Sequence, residues 1–132
     1  MRNNILQYSS FLLTLLVFSS CSNQDAVTPT QLEGQWINVN TPTDTLFFKS
    51  MENMEVMTLH RAMEIKNGVE QPESGSGTYQ YRLTEGSIAI KSLFSSSMIF
   101  DDYYFNVEEM QFSIGAFYGS DNGKLLHFEK ID

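Results

Sequence analysis

The chain holds few residues able to do bond chemistry, and their spacing keeps them apart. Its histidines are His60 and His127, and its one cysteine is Cys21. A serine nucleophile needs a base held against it. Ser95-Ser96-Ser97 lies between Phe94 and Met98 with no histidine near in sequence, and no Gly-x-Ser-x-Gly elbow occurs anywhere. Both histidines fall among polar neighbours, as surface residues do. One cysteine excludes an internal disulfide and a Cys-rich zinc site, and two histidines exclude most His-built metal sites. Asp101-Asp102-Tyr103-Tyr104 sets two carboxylates beside two phenols. Adjacent strand residues point to opposite faces, so these carboxylates do not converge. No spacing of the kind that wraps Ca²⁺ occurs. No enzyme, no metal site and no cofactor is expected, since base, nucleophile and charge stabiliser cannot be assembled.

Aromatic residues are the remaining chemical resource. Trp36, Phe48, Tyr79, Tyr81, Phe105, Phe112 and Phe128 fall on faces that the alternation of the sequence turns inward. Two readings stand. In one, Trp36, Phe48, Tyr79, Tyr81 and Phe112 line an apolar pocket whose phenols orient a small apolar or amphipathic ligand. In the other they are a filled core, because aromatics dominate small cores. Met51, Met54, Met57 and Met63 offer the same choice between an adaptable binding lip and gap-filling.

The elements that must position these side chains are short and extended. Runs with period two are punctuated by Gly, Asn, Asp, Ser and Pro, and predict eight strands near 33–38, 44–49, 54–65, 76–83, 86–93, 98–106, 109–116 and 122–130. Tyr79, Tyr81 and Leu83 alternate with polar residues, as do Phe112 and Ile114, and Leu126 and Phe128, while Ile88 and Ile90 alternate with Ser87 and Lys91. One buried and one wet face is the mark of antiparallel sheet. Met51–Ile65 also fits a helical stripe, but Val56 and Thr58 favour extended structure. Thr84-Glu85-Gly86 and Ser120-Asp121-Asn122-Gly123 suit hairpin turns. Lys66–Gly75 is expected as a long polar loop. Closing the sheet removes its edges, and eight strands leave room for side chains or one small ligand. The expected fold is all-β, a small antiparallel up-and-down β-barrel of about eight strands.

Composition agrees with one folded domain: 42% of the 132 residues are hydrophobic and 18% charged. The net charge of -8 excludes nucleic acid as a partner, because phosphate binding needs cations. Residues 1–20 read as a signal peptide, with Arg2 at its start and Phe11–Phe18 as its densest apolar run. Eight residues fall well short of the roughly 20 that a membrane-spanning helix needs.

Val17-Phe18-Ser19-Ser20-Cys21 resembles a bacterial lipobox. The resemblance implies that Cys21 receives a thioether-linked diacylglycerol, that the leader is cut before Cys21, and that the new amine is acylated. It also implies an outer-membrane address in a Gram-negative envelope, since Ser22 and not Asp follows the cysteine. Residues 21–31 then form a lipidated tether and 32–132 the folded domain. The mature chain would carry seven basic and sixteen acidic residues.

Leu32-Glu33-Gly34-Gln35-Trp36 resembles the Gly-x-Trp opening of lipocalins, and Asp44–Phe48, Gly75–Tyr81 and Leu126–Lys130 are similar to later strands of small bacterial lipocalin-like domains. The likeness covers most of 32–131. It implies a basic residue packed over the motif tryptophan, for which Lys130 is the nearby candidate. The function expected is that of a non-catalytic envelope lipoprotein, held to the membrane by its lipid. It either binds a small apolar ligand inside the barrel or works as a structural or protein-interaction module with a filled barrel and an envelope protein as partner.

Cys21→Ala should yield a protein that no longer partitions into detergent, read by phase separation and intact mass. A variant that stays membrane-bound at its wild-type mass would refute the lipid anchor.

Overall fold

The computed structural model describes residues 26–118 and 123–131. The leader, Cys21 and the residues 120–122 of the expected last turn lie outside the described residues. A short helix α1 (Pro29–Leu32) leads into β1 (Gly34–Asn38), β2 (Thr45–Met51) and β3 (Met54–His60). A small hairpin follows, β4 (Met63–Lys66) and β5 (Val69–Pro72). Then come β6 (Gly77–Thr84), β7 (Ser87–Ser92), β8 (Asp101–Glu108), β9 (Gln111–Gly115) and β10 (Leu125–Ile131).

Eight of these strands form a closed antiparallel barrel in the order β1-β2-β3-β6-β7-β8-β9-β10, with β10 pairing back to β1. This is the up-and-down barrel that the alternation predicts. Each register places inward residues opposite one another: Trp36 faces Leu46, Phe48 faces Met57, and Phe112 faces Phe128. Ile88, Ile90 and Ile114 are buried with them. The inward set is one hydrophobic cluster, with Leu32 and Tyr118 at its two ends.

Three expectations are corrected. The single strand over 54–65 is two: β3 stops at His60, and the chain bends at Arg61 and Ala62 before β4 begins. The bend lets Arg61 turn toward Asp44 instead of continuing the ladder. The polar loop 66–75 is partly strand, because Asn67 and Gly68 both take positive φ and close a two-residue turn between β4 and β5. The strand expected from Met98 begins at Asp101. The Phe100 ring instead packs against the cations of Arg82 and Lys91, 4.2 and 5.1 Å from its centre.

The barrel has two unlike ends. At the α1 end, Pro29 opens the helix at a position where proline's missing N–H costs nothing. The Thr28 amide donates to Gln31 Oε1 at 2.8 Å. Leu32 closes the helix with its side chain fully buried. The Trp36 indole N–H donates to the Leu32 carbonyl at 2.7 Å, so the helix is fastened to the first strand. Lys130 Nζ lies 5.4 Å from the Trp36 ring centre and 3.5 Å from the Gln31 carbonyl. Gly34 makes this possible. Its φ is +115°, and a Cβ there would sit 3.2 Å from Lys130 Cε.

Trp36 is therefore packed, hydrogen-bonded and covered. Trp36→Ala should cost about 3–5 kcal/mol in urea unfolding. Native emission typical of exposed indole, with no loss of stability on truncation, would contradict this burial.

Candidate functional site

Four of the five residues expected at a pocket form a continuous aromatic column. Trp36 meets Phe112 edge-on with ring centres 4.8 Å apart, and Phe112 stacks on Phe128 at 5.0 Å. Phe48 sits 5.8 Å from Phe112 and 5.3 Å from Tyr81, both nearly perpendicular. Phe105 closes on Phe112 at 5.3 Å. Such spacings are those of aromatic pairs in contact. Alternation placed these residues inward; the pairing of β9 with β8 and β10 brings them together around Phe112.

Tyr79 stands apart from that column. It contacts Phe117 at 5.5 Å, and its hydroxyl donates to the Gly75 carbonyl. Tyr79, Tyr103 and Phe117 with Ile90 line a cleft of about 170 Å³ at the end of the barrel away from α1. Burial raises the Tyr79 phenol above its ordinary value, Tyr103 adds to this, and Arg61 opposes it. Tyr103 is raised as well, by burial and by Asp101.

Beside this cleft a polar cluster plugs the barrel mouth. Arg61 Nε donates to Asp44 Oδ2 at 3.1 Å, and its Nη2 pairs with Glu73 at 2.7 Å. Its remaining nitrogen donates to the Ser74 carbonyl, and the guanidinium lies 4.8 Å from the Tyr118 ring centre. The Asn38 amide donates to the Tyr118 hydroxyl at 3.3 Å, while Asn38 Oδ1 accepts from the amides of Asn40 and Thr41. Asp44 and Asn38 are buried. Buried charge survives only when paired, and Arg61 supplies the pairing. Gly75 packs against Tyr118 so closely that a Cβ would lie 2.6 Å from the tyrosine's own Cβ. Burial, with Asp44 close by, holds the Tyr118 phenol well above its ordinary value, against the hydrogen bond from Asn38. Sequence reasoning did not find this cluster. Its members are far apart in the chain and match no motif.

The other residues singled out from the sequence stay dispersed. Asp101 and Asp102 are exposed at the start of β8. His60 and His127 are exposed, and His127 Nδ1 is 2.9 Å from Ser113 Oγ. Ser95 and Ser97 cap the amides of Ser97 and Ile99. Of the methionines that could form a lip, Met51, Met54 and Met63 are exposed and Met57 is core. Among the described residues no group of three or more His, Cys, Asp or Glu could hold a metal ion.

Two surface features complete the candidate site. The loop between β7 and β8, away from α1, presents Phe94, Met98 and Ile99 at 83, 80 and 72% exposure. At the α1 end, a cleft of about 660 Å³ opens between Ala26 and Val27, the β6–β7 turn, and β8. Comparison with protein-family models, with curated proteins and with solved structures finds no match to the chain.

Tyr81 generates a prediction. Its ring is core, yet its hydroxyl is buried without a hydrogen-bond partner among the described residues. Burial, helped by Glu55 and Glu33, holds this phenol far above its ordinary 10.0. The unfolded chain therefore ionises first, and stability is lost as pH rises above 10.0. Tyr81→Phe removes the stranded hydroxyl and should raise stability by about 1 kcal/mol at neutral pH. It should also flatten the alkaline loss, read by urea unfolding on both sides of that value. A destabilised variant with an unchanged alkaline slope would refute the assignment.

Proposed function

We propose that the chain is a non-catalytic outer-membrane lipoprotein of a Gram-negative envelope, anchored through Cys21, whose filled barrel serves as a structural or protein-interaction module. The observation that carries the filled-barrel reading is Phe112. Its ring lies within 4.8–5.8 Å of Trp36, Phe48, Phe105 and Phe128. A ligand threaded along this column would have to part rings that already satisfy one another. Tyr81 extends the column through Phe48, which adds its ring to the packed interior.

The interaction reading is supported by the exposed Phe94, Met98 and Ile99, which lie at the end away from the tether. Large apolar side chains gathered on a surface mark contact sites more often than chance. The anchor is supported by the apolar leader ending at the only cysteine. The lipocalin-like resemblance is supported by the Lys130 ammonium over Trp36 and by the closed barrel.

Native mass spectrometry of the protein extracted from its own host tests this reading. The expected result is the mature chain with its acyl groups and no additional small molecule. A stoichiometric small molecule released on mild activation would decide for a ligand carrier.

A further inference from the structure

The 660 Å³ cleft at the α1 end is not part of the aromatic column's interior, although Phe105 forms its floor. Its walls are Val27 on one side and Leu83 and Val107 on the other, all three half-buried and packed against the core. Its size falls within the range of about 300–1,000 Å³ typical of small-molecule sites. The rim is polar, with Thr84, Glu85 and Asn106. A floor and walls of this kind suit a hydrocarbon chain whose polar end stays at the mouth.

The chain itself points to the occupant. The segment that precedes the described residues joins at Ala26, and Ala26 is part of the cleft wall. Cys21 is five residues upstream, so its Cα can lie no more than about 18 Å from that of Ala26. A group carried on that cysteine is presented to the cleft at the high effective concentration of a short linker. Charge narrows the choice further. Glu85 at the rim repels the carboxylate of a free fatty acid but not a chain joined through an amide or glyceryl ester. We propose that the cleft shelters one acyl chain carried on Cys21, so that the lipoprotein holds part of its own anchor when that chain is out of the bilayer. This rests on the lipid-anchor reading of Cys21.

The test uses the full chain made in a Gram-negative host fed a fatty acid with a photoreactive diazirine near its methyl end. Intact mass first establishes whether Cys21 is acylated. The lipidated protein is then irradiated in detergent micelles, and the adducts are mapped by peptide mass spectrometry. The proposal expects an adduct within the same chain, on 83–86 or 105–107. Two variants should lose it while retaining the acyl mass: Val107→Asp, which puts a charge on the wall, and Ala26→Trp, which fills the mouth from an exposed position outside the core. If Cys21 carries no acyl group, the anchor reading fails and the proposal falls with it. If Cys21 is acylated but adducts form only on detergent, or persist in both variants, the proposal alone is overturned.

Discussion

The contact between Trp36 and the Leu32 carbonyl organises the α1 end of the molecule. A buried indole must find an acceptor for its N–H, and here the acceptor belongs to the helix that closes the barrel. The same ring supports Phe112 on one side and meets the Lys130 ammonium on another. Because β1 pairs with both β2 and β10, the residue that seats the helix also lies where the sheet closes on itself. Closure, capping and the aromatic column therefore share one side chain. Gly34 is bound into the same arrangement, since its φ of +115° favours glycine and a Cβ there would crowd the Lys130 side chain.

The far mouth solves a different problem by different means. No helix covers it. The turn after β9 brings Phe117 and Tyr118 inward, and Arg61 bridges Asp44, Glu73 and the Tyr118 face. An apolar plug alone would leave Asp44 stranded. Arg suits the task better than Lys because its planar fork reaches two carboxylates and a carbonyl at once while its face lies on a ring. The two ends thus divide the chemistry, with an apolar-walled cleft beside α1 and a charged, hydrogen-bonded stopper at the opposite mouth.

Most of the barrel was legible because a strand with one wet face writes its period into the chain. Tyr81, Phe112 and Phe128 each lie between polar neighbours, and each is buried in the barrel. The small β4–β5 hairpin was missed although its signal was present. Asn67-Gly68 is the dipeptide that most favours such a turn, but Met63 and Ile65 also continue the strand-like pattern of β3, and Glu70-Gln71-Pro72 after the turn shows no alternation. The stopper was not legible at all. Asn38 and Tyr118 are 80 residues apart, and nothing local tells Arg61 from a surface cation. Phe100 misled in the opposite sense. An aromatic preceding a β-pattern looks like more strand, whereas here the ring packs on the cations of Arg82 and Lys91.

The distribution of methionine has a consequence for chemical damage. Met51, Met54, Met63, Met98 and Met110 are exposed, and Met57 alone among the described methionines is buried. Oxidants convert exposed thioethers to sulfoxides first, and the change from apolar to polar is harmful where the side chain is packed. Here the accessible sulfurs lie on strand ends, turns and loops, where a sulfoxide falls outside the packed core. The surface can take up several oxidising equivalents before the interior is touched, and reductive repair can reach every one of those sites without unfolding the barrel.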